Sequence, residues 1–155
     1  MTPPFTAPFS TLASFADLCD YLREEGIPHA ADVDAHVVEL TTRLGDAPAT
    51  LMIRWEWRRP LIQLIQVAVV DVAPAREADV EHLLARLNHA APVAGYALDP
   101  DRRFVYFRLT LQRDERDQVT VPALNRALLA AVGAAQDAVD QVRAIARPQP
   151  SLIVV

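Results

Sequence analysis

Several residue types on which small folds and cofactor sites depend are scarce in this chain of 155 residues. Its single cysteine, Cys19, excludes a disulfide within one copy of the chain. Its four glycines are isolated from one another, so the glycine-rich loop that holds a nucleotide phosphate is missing. Lysine is absent and all 15 basic residues are arginine, which we attribute to genome composition and not to function.

Long apolar runs are missing as well. The longest, from Leu61 to Val72, is interrupted by two glutamines and an aspartate and is shorter than the roughly 20 residues of a membrane-spanning helix. The N-terminus contains three prolines and no basic residue before Arg23, a pattern that does not match a secretory signal peptide. Together with the lone cysteine, these features predict a cytoplasmic protein.

Basic residues are fewer than acidic residues in this chain. The chain has 15 basic and 20 acidic residues, a formal net charge of -5 and a sequence pI of about 5.3. Domains that bind nucleic acids usually show a basic face or a pI above about 9. The charge balance therefore argues against a nucleic-acid partner and against an anionic membrane surface.

What the chain does have is the composition of one globular domain. Hydrophobic residues make up 52% of it and charged residues 23%, and its length is that of an ordinary domain. We divide it into a flexible proline-rich arm (residues 1–9), a single domain (10–147) and an apolar tail (148–155) that ends in Leu-Ile-Val-Val.

Hydrophobic periodicity divides the domain into eight elements. Apolar residues recur at helical spacing in three segments, alternate with a period of two in residues 37–44, 51–57 and 104–111, and occupy both faces of 61–72. We expect Ser10 or Thr11 to cap the first helix and Thr120 to cap the third. The predicted helices span residues 11–25, 76–89 and a long segment from 120, and the predicted strands span 37–44, 51–57, 61–72, 95–98 and 104–111.

These elements follow the order α-β-β-β-α-β-β-α. The first three strands are joined by short links and pair as an antiparallel meander, because parallel neighbours need crossovers of a dozen or more residues. The simplest layered arrangement is an α+β fold, namely a two-layer α/β sandwich in which a five-stranded antiparallel sheet carries the helices on one face.

Element order and spacing resemble the secretion-chaperone-like fold, which type III secretion chaperones share with the YbjN-like family of proposed sensory-transduction regulators in bacteria. The most similar segment, from Val80 to Leu98, contains HLLARLNHAAPVAGYAL. It is similar to that family's helix ending in a Leu-Asn pair, followed by a loop and a strand that opens with glycine and an aromatic residue. The strand FVYFRLTL and the helix starting near VPALNRALLAAV also fit.

The resemblance covers roughly residues 10 to 146 and implies a sheet order of 1-2-3-5-4 and a homodimer. It supplies no catalytic residue to carry over. Secretion chaperones are small, acidic and dimeric, and they bind an extended segment of a partner protein. The chain departs from that pattern in its proline-rich arm and its apolar tail.

Residues that could bind a metal ion or act in catalysis are present, but their spacing favours structural roles. His82 and His89 lie seven positions apart on the second helix, whereas helical zinc ligands are usually three or four apart. Cys19 falls on the apolar stripe of the first helix, where a free cysteine behaves as a small hydrophobic residue. The acidic residues near 99–101 and 114–117 lack the spacing of a calcium loop. We therefore predict no catalytic residue, no metal site and no cofactor.

Trp55 and Trp57 point to the same side of a strand because they are two residues apart. In the structural interpretation both lie under a helix. In the functional interpretation Trp57 lies at a rim beside Arg54, Arg58 and Arg59, and tryptophan and arginine are common anchors of protein interfaces.

The third predicted strand determines the functional expectation, because both of its faces are apolar. Either Ile62, Leu64, Ala68 and Val70 or the alternate set beginning with Leu61 faces away from the helices, and a monomer rarely exposes such a surface without a partner. Another copy, a client segment or the chain's own β-prone end, Ser151 to Val155, would cover it. The predicted partner-binding residues are Arg54, Trp57, Arg58, Ile62, Leu64, Tyr106 and Arg108.

The sequence thus predicts a non-enzymatic, homodimeric protein-binding module. It would capture an extended or amphipathic segment of a client protein on apolar sheet surface. Two alternatives remain open at this point. One is an enzyme or small-ligand carrier with a polar pocket between helices and sheet, and the other is a purely structural scaffold subunit.

Overall fold

The computed structural model describes residues 9–68, 70–92 and 95–146. Apart from Phe9, the predicted arm at residues 1–9 lies outside these ranges, as does the predicted tail at 148–155. Phe9 packs edge-on against Tyr21, with ring centroids 6.4 Å apart. In the described ranges the elements are β1 (Thr11–Leu12), α1 (Phe15–Glu24), β2 (His29–Asp32), β3 (Val37–Leu44), β4 (Ala47–Glu56), β5 (Leu61–Ala68), α2 (Glu77–Ala90), β6 (Tyr96–Leu98), β7 (Val105–Gln112), β8 (Val119–Thr120) and α3 (Val121–Ala146).

Six of these strands form one antiparallel sheet in the order β2-β3-β4-β5-β7-β6. The mixed α+β class and the large antiparallel sheet are as predicted, but the sheet size of five strands is wrong. An additional edge strand, β2, precedes the predicted order, and Ala30 in it lies opposite Glu39 of β3. The sequence of β2, His-Ala-Ala-Asp, has no β-branched residue and no alternation, so its strand conformation comes from pairing with β3 and not from propensity.

The start of the first helix also differs from the prediction. Residues predicted as its first turn form β1, which pairs with β8 in a separate two-stranded sheet. The helix begins at Phe15, and its cap is Ser14, whose Oγ accepts a hydrogen bond from the backbone N–H of Asp17 at 3.1 Å. The predicted cap of the third helix is confirmed, because Thr120 Oγ1 accepts from the N–H of Ala123 at 3.3 Å.

The helices and one face of the sheet share a single core. The helix α3 packs on β3, β5 and β7, and α2 packs on β6 and α3. In β5 the inward side chains are fully or almost fully buried, and one of them is polar. Gln66 donates to Thr42 Oγ1 at 3.0 Å and to the carbonyl oxygens of Thr50 and Val67, so its amide is satisfied inside the core.

A side-chain clamp joins the end of α2 to the start of β6. Asn88 Oδ1 accepts from the N–H groups of Gly95 and Tyr96, and its Nδ2 donates to the Tyr96 carbonyl at 2.9 Å. Gly95 lies so close to β7 that a Cβ there would collide with the carbonyl oxygen of Arg108. Asn88 of the Leu-Asn pair and the glycine before the aromatic residue therefore each have a structural role in this segment.

Candidate protein-binding surface

Side chains of β3, β4, β5 and β7 that point away from the helices form a second surface, which we call the open face. The alternate side chains of β5 on this surface are half-buried, whereas those on its opposite side are buried. The open face includes Val37, Glu39, Thr41, Thr50, Met52, Arg54, Glu56, Leu61, Gln63, Ile65, Val67, Tyr106, Arg108, Thr110 and Gln112.

Three of the predicted partner-binding residues, Arg54, Tyr106 and Arg108, lie on the open face. The placement of Ile62 and Leu64 there is wrong, because both side chains are 0% exposed in the core. Periodicity did not distinguish the two sides of β5, since each side carries one glutamine among apolar residues. The inward glutamine, Gln66, has its hydrogen-bond partners on β3 and β4, which are distant in sequence.

The centre of the open face is apolar and its flanks carry opposite charges. Glu39, Met52, Ile65 and Arg108 lie opposite one another on four successive strands, so one row runs from an acid through two apolar side chains to a base. Paired side chains on one face of a sheet lie within contact distance of each other. This row therefore offers an apolar contact between two positions for charge pairing.

Two shallow hollows flank the central row. One, of about 190 Å³, is bounded by Met52, Ile65, Tyr106 and Arg108 together with the turn before β7. The other, of about 370 Å³, lies beside β2 and shares Met52 with the first. The surface is thus a ridge between two depressions, a shape that can accept side chains of a bound segment.

At one end of the sheet the turn between β4 and β5 presents Trp57 and Arg58, the remaining predicted partner-binding residues. Trp57 is 66% exposed, and the guanidinium of Arg58 lies 4.6 Å from the centroid of its ring. Trp55, two residues earlier, is buried, so the two tryptophans differ in environment. The strand ends at Glu56, which is why the alternation does not carry Trp57 into the core.

Arg113, which directly follows β7, is buried although its side chain is charged. Only 4% of the surface of Arg113 is exposed to solvent. Its guanidinium donates hydrogen bonds to the carbonyl oxygens of Glu56 and Arg59, both at 2.9 Å. It also donates to Asp117 at 2.8 Å. No local sequence pattern indicates this role, because the carbonyl groups belong to a turn more than fifty residues away.

Space between helices and sheet is limited in the described part of the chain. A cavity of only about 10 Å³ remains where α3 crosses β5 and β7. A groove of about 440 Å³ runs between α2, β6 and α3, lined mainly by apolar residues with Asp137 at its edge. Burial and the Asp137 carboxylate raise the pKa of the Tyr96 hydroxyl, which donates to the Ala134 carbonyl at 2.7 Å. The polar groups here are too few to form a convergent catalytic set.

The four histidines lie in separate environments and do not form a cluster in the described structure. His82 and His89 are exposed on α2, His29 contacts the Ile27 carbonyl, and His36 stacks on Phe15 with ring centroids 5.2 Å apart. No group of three or more His, Cys, Asp or Glu residues suited to a metal ion occurs in residues 9–68, 70–92 and 95–146. Over the same ranges, no helix is long and apolar enough to cross a membrane.

Comparisons with known proteins find similarity in structure alone. No family model matches the sequence, and no curated protein matches it. The crystal structure of YbjN from E. coli, described as a proposed transcription regulator, superposes with a TM-score of 0.59 and 12% sequence identity, covering 83% of this chain and 92% of that one. The HopA1-SchA chaperone-effector complex gives a TM-score of 0.50 and 16% identity, covering 84% and 94%.

This chain has the YbjN-like, secretion-chaperone-like fold. The similarity extends over most of this chain and over most of each neighbour. Neither of the two structures is named as an enzyme.

Proposed function

We propose that this protein is a non-enzymatic, homodimeric protein-binding module, chaperone-like or regulator-like, that captures an extended or amphipathic segment of a partner protein on the open face. The observation that carries the proposal is the half-buried apolar patch that Met52 of β4 forms with Ile65 and Val67 of β5 at the centre of the open face. Burial of such apolar surface against a partner lowers the free energy by about 25 cal/mol for each Å² removed from water.

The charges beside that patch favour a segment with a defined orientation. A bound segment would place a basic side chain near Glu39 and an acidic one near Arg108, with apolar residues between them. Charge pairs at the rim of an interface select partner and register more than they add affinity. A cytoplasmic location and the absence of nucleic-acid and membrane partners belong to the same proposal, supported by the net charge of -5 and the single cysteine.

Substitution of Ile65 by glutamate tests the client-binding part. We expect the wild-type protein to enhance the fluorescence of an apolar dye and to bind twelve-residue peptides with leucine at every second position, and Ile65→Glu to lose both. Ala78→Glu, an equal charge change at an exposed position on α2, serves as the control and should bind normally. Equal binding by wild type and Ile65→Glu would contradict the proposal.

Light scattering coupled to size-exclusion chromatography tests the homodimer. We expect the mass of two chains, about twice 17.1 kDa, at micromolar concentration. A monomer that still binds the peptides would remove only the dimer from the proposal. A monomer that binds neither dye nor peptide would remove the proposed function as a whole.

A further inference from the structure

The turn that links β4 and β5 combines three exposed side chains that commonly anchor protein interfaces. We call residues 57–60 the Arg-Trp turn. Trp57 is one of the few large apolar residues that are strongly exposed in the described part of the chain, and Arg58 stacks over its ring. Arg59, the next residue, is also exposed. A tryptophan beside two arginines is the composition that is enriched at binding hot spots.

Hydrogen bonds from Arg113 and Leu61 hold the backbone of the Arg-Trp turn in place. Arg113 donates to the Glu56 and Arg59 carbonyl oxygens at 2.9 Å and to that of Leu61 at 3.4 Å, and its own N–H donates to the Pro60 carbonyl at 2.8 Å. The N–H of Leu61 donates to the Arg59 carbonyl at 2.7 Å, which closes the turn. A turn ordered in this way presents its side chains without a large further loss of backbone entropy on binding.

The two arginines of the turn differ from several others in their charge contacts. In the described ranges, neither Arg58 nor Arg59 forms an ion pair, although five such pairs occur elsewhere in the structure. Arg54 approaches Glu56 at 3.9 Å, the longest of the five. A locally positive turn therefore projects from a chain whose net charge is -5.

We propose that the Arg-Trp turn is a docking point for an acidic protein segment that carries an apolar side chain. Carboxylates of the segment would pair with Arg58 and Arg59, and its apolar side chain would pack on Trp57. This inference goes beyond the proposed function, because it assigns a partner chemistry to a surface at the end of the sheet and does not require the open face. A long polyanion such as nucleic acid fits less well, since the acidic remainder of the chain repels it.

The two tryptophans provide a direct test by NMR. The probe is a ten-residue peptide with glutamates on both sides of a central leucine, compared with the same peptide in which lysine replaces each glutamate. We expect the glutamate peptide to shift the indole N–H signal of Trp57 and to leave that of buried Trp55 in place. The lysine peptide should shift neither signal.

Charge reversal in the turn identifies the residues responsible. We expect the Arg58→Glu, Arg59→Glu double variant to bind the glutamate peptide at least about tenfold more weakly, as two lost charge pairs plus repulsion imply. The Arg86→Glu, Arg126→Glu double variant changes the net charge equally at exposed helix positions and should bind within about twofold of wild type. Ile65→Glu on the open face should also bind normally, which separates this inference from the proposed function.

Four results would overturn the inference. They are absence of binding by the glutamate peptide, equal binding by the turn variant and wild type, tighter binding of single-stranded DNA than of the peptide, and a concentration-dependent shift of the Trp57 signal in protein alone. The last would identify a second copy of this chain as the occupant.

Discussion

The guanidinium of Arg113 lies 4.7 Å from the ring centroid of Trp55 and connects the loop after β7 to the turn after β4. The cation thus packs on an aromatic face while its N–H groups donate to backbone carbonyls and to Asp117. Burial of a charged group is costly unless it is hydrogen-bonded in this way. Arg113 therefore fixes the position of the Arg-Trp turn at the end of the sheet.

Replacing Arg113 by methionine should lower the free energy of unfolding by about 2–3 kcal/mol, because the Glu56 and Arg59 carbonyl oxygens lose a charged donor while the side-chain volume is largely kept. Urea denaturation followed by far-UV circular dichroism measures the change. Arg116→Met, in the same loop but exposed, is the matched control and should stay within about 0.5 kcal/mol of wild type. Equal stability of the two variants would show that the contacts of Arg113 contribute nothing.

Two glycine-to-alanine substitutions should have opposite effects on stability. Gly95→Ala should destabilise the protein by about 2–4 kcal/mol, because the new Cβ collides with the backbone carbonyl of Arg108 and β6 must move away from β7. Gly133→Ala should stabilise it by about 0.5–1 kcal/mol, because that position lies inside α3 with open space around it. Thermal unfolding measures both, and a gain at position 95 would contradict the close strand contact.

The sequence predicted well where local periodicity matches burial. The alternation in β4 and β7 and the apolar stripe of α3 correspond to side chains that face the core and are buried or, like Leu109 and Leu111, half-buried there. These elements could be assigned because each pattern repeats over eight or more residues and depends on the orientation of one segment relative to the core.

Features that depend on distant partners could not be predicted. The strand β2 owes its conformation to β3, and the pairing of β1 with β8 joins residues more than a hundred positions apart. Gln66 of β5 has its hydrogen-bond partners on β3 and β4, and the burial of Arg113 depends on a remote cluster of carbonyl groups. Of the candidate surface, Arg54, Tyr106 and Arg108 were therefore placed from the sequence, while Ile62 and Leu64 were assigned to the wrong side.

The position of the first helix cap gives a further prediction. Ser14→Ala should lower the free energy of unfolding by about 1 kcal/mol, because the N–H of Asp17 loses its acceptor at the helix N-terminus. Ser10→Ala is the matched control, because the contact of that residue with Val121 uses its backbone carbonyl and survives the substitution. A larger effect at position 10 than at 14 would place the cap where the periodicity of the sequence put it.

The reactivity of Cys19 should report its environment through pH. Burial, assisted by the neighbouring Asp20 carboxylate, raises the pKa of the Cys19 thiol above its ordinary value. The thiol therefore stays protonated in the folded protein at pH values where an unfolded chain already forms thiolate, so its reaction with iodoacetamide should be slower in folded than in urea-unfolded protein. Because the folded state holds this proton more tightly, the free energy of unfolding should fall as pH rises above the ordinary thiol pKa. Cys19→Ser, which removes the titrating thiol, should lack this part of the pH dependence, and identical pH–rate curves for folded and unfolded wild type would contradict the raised pKa.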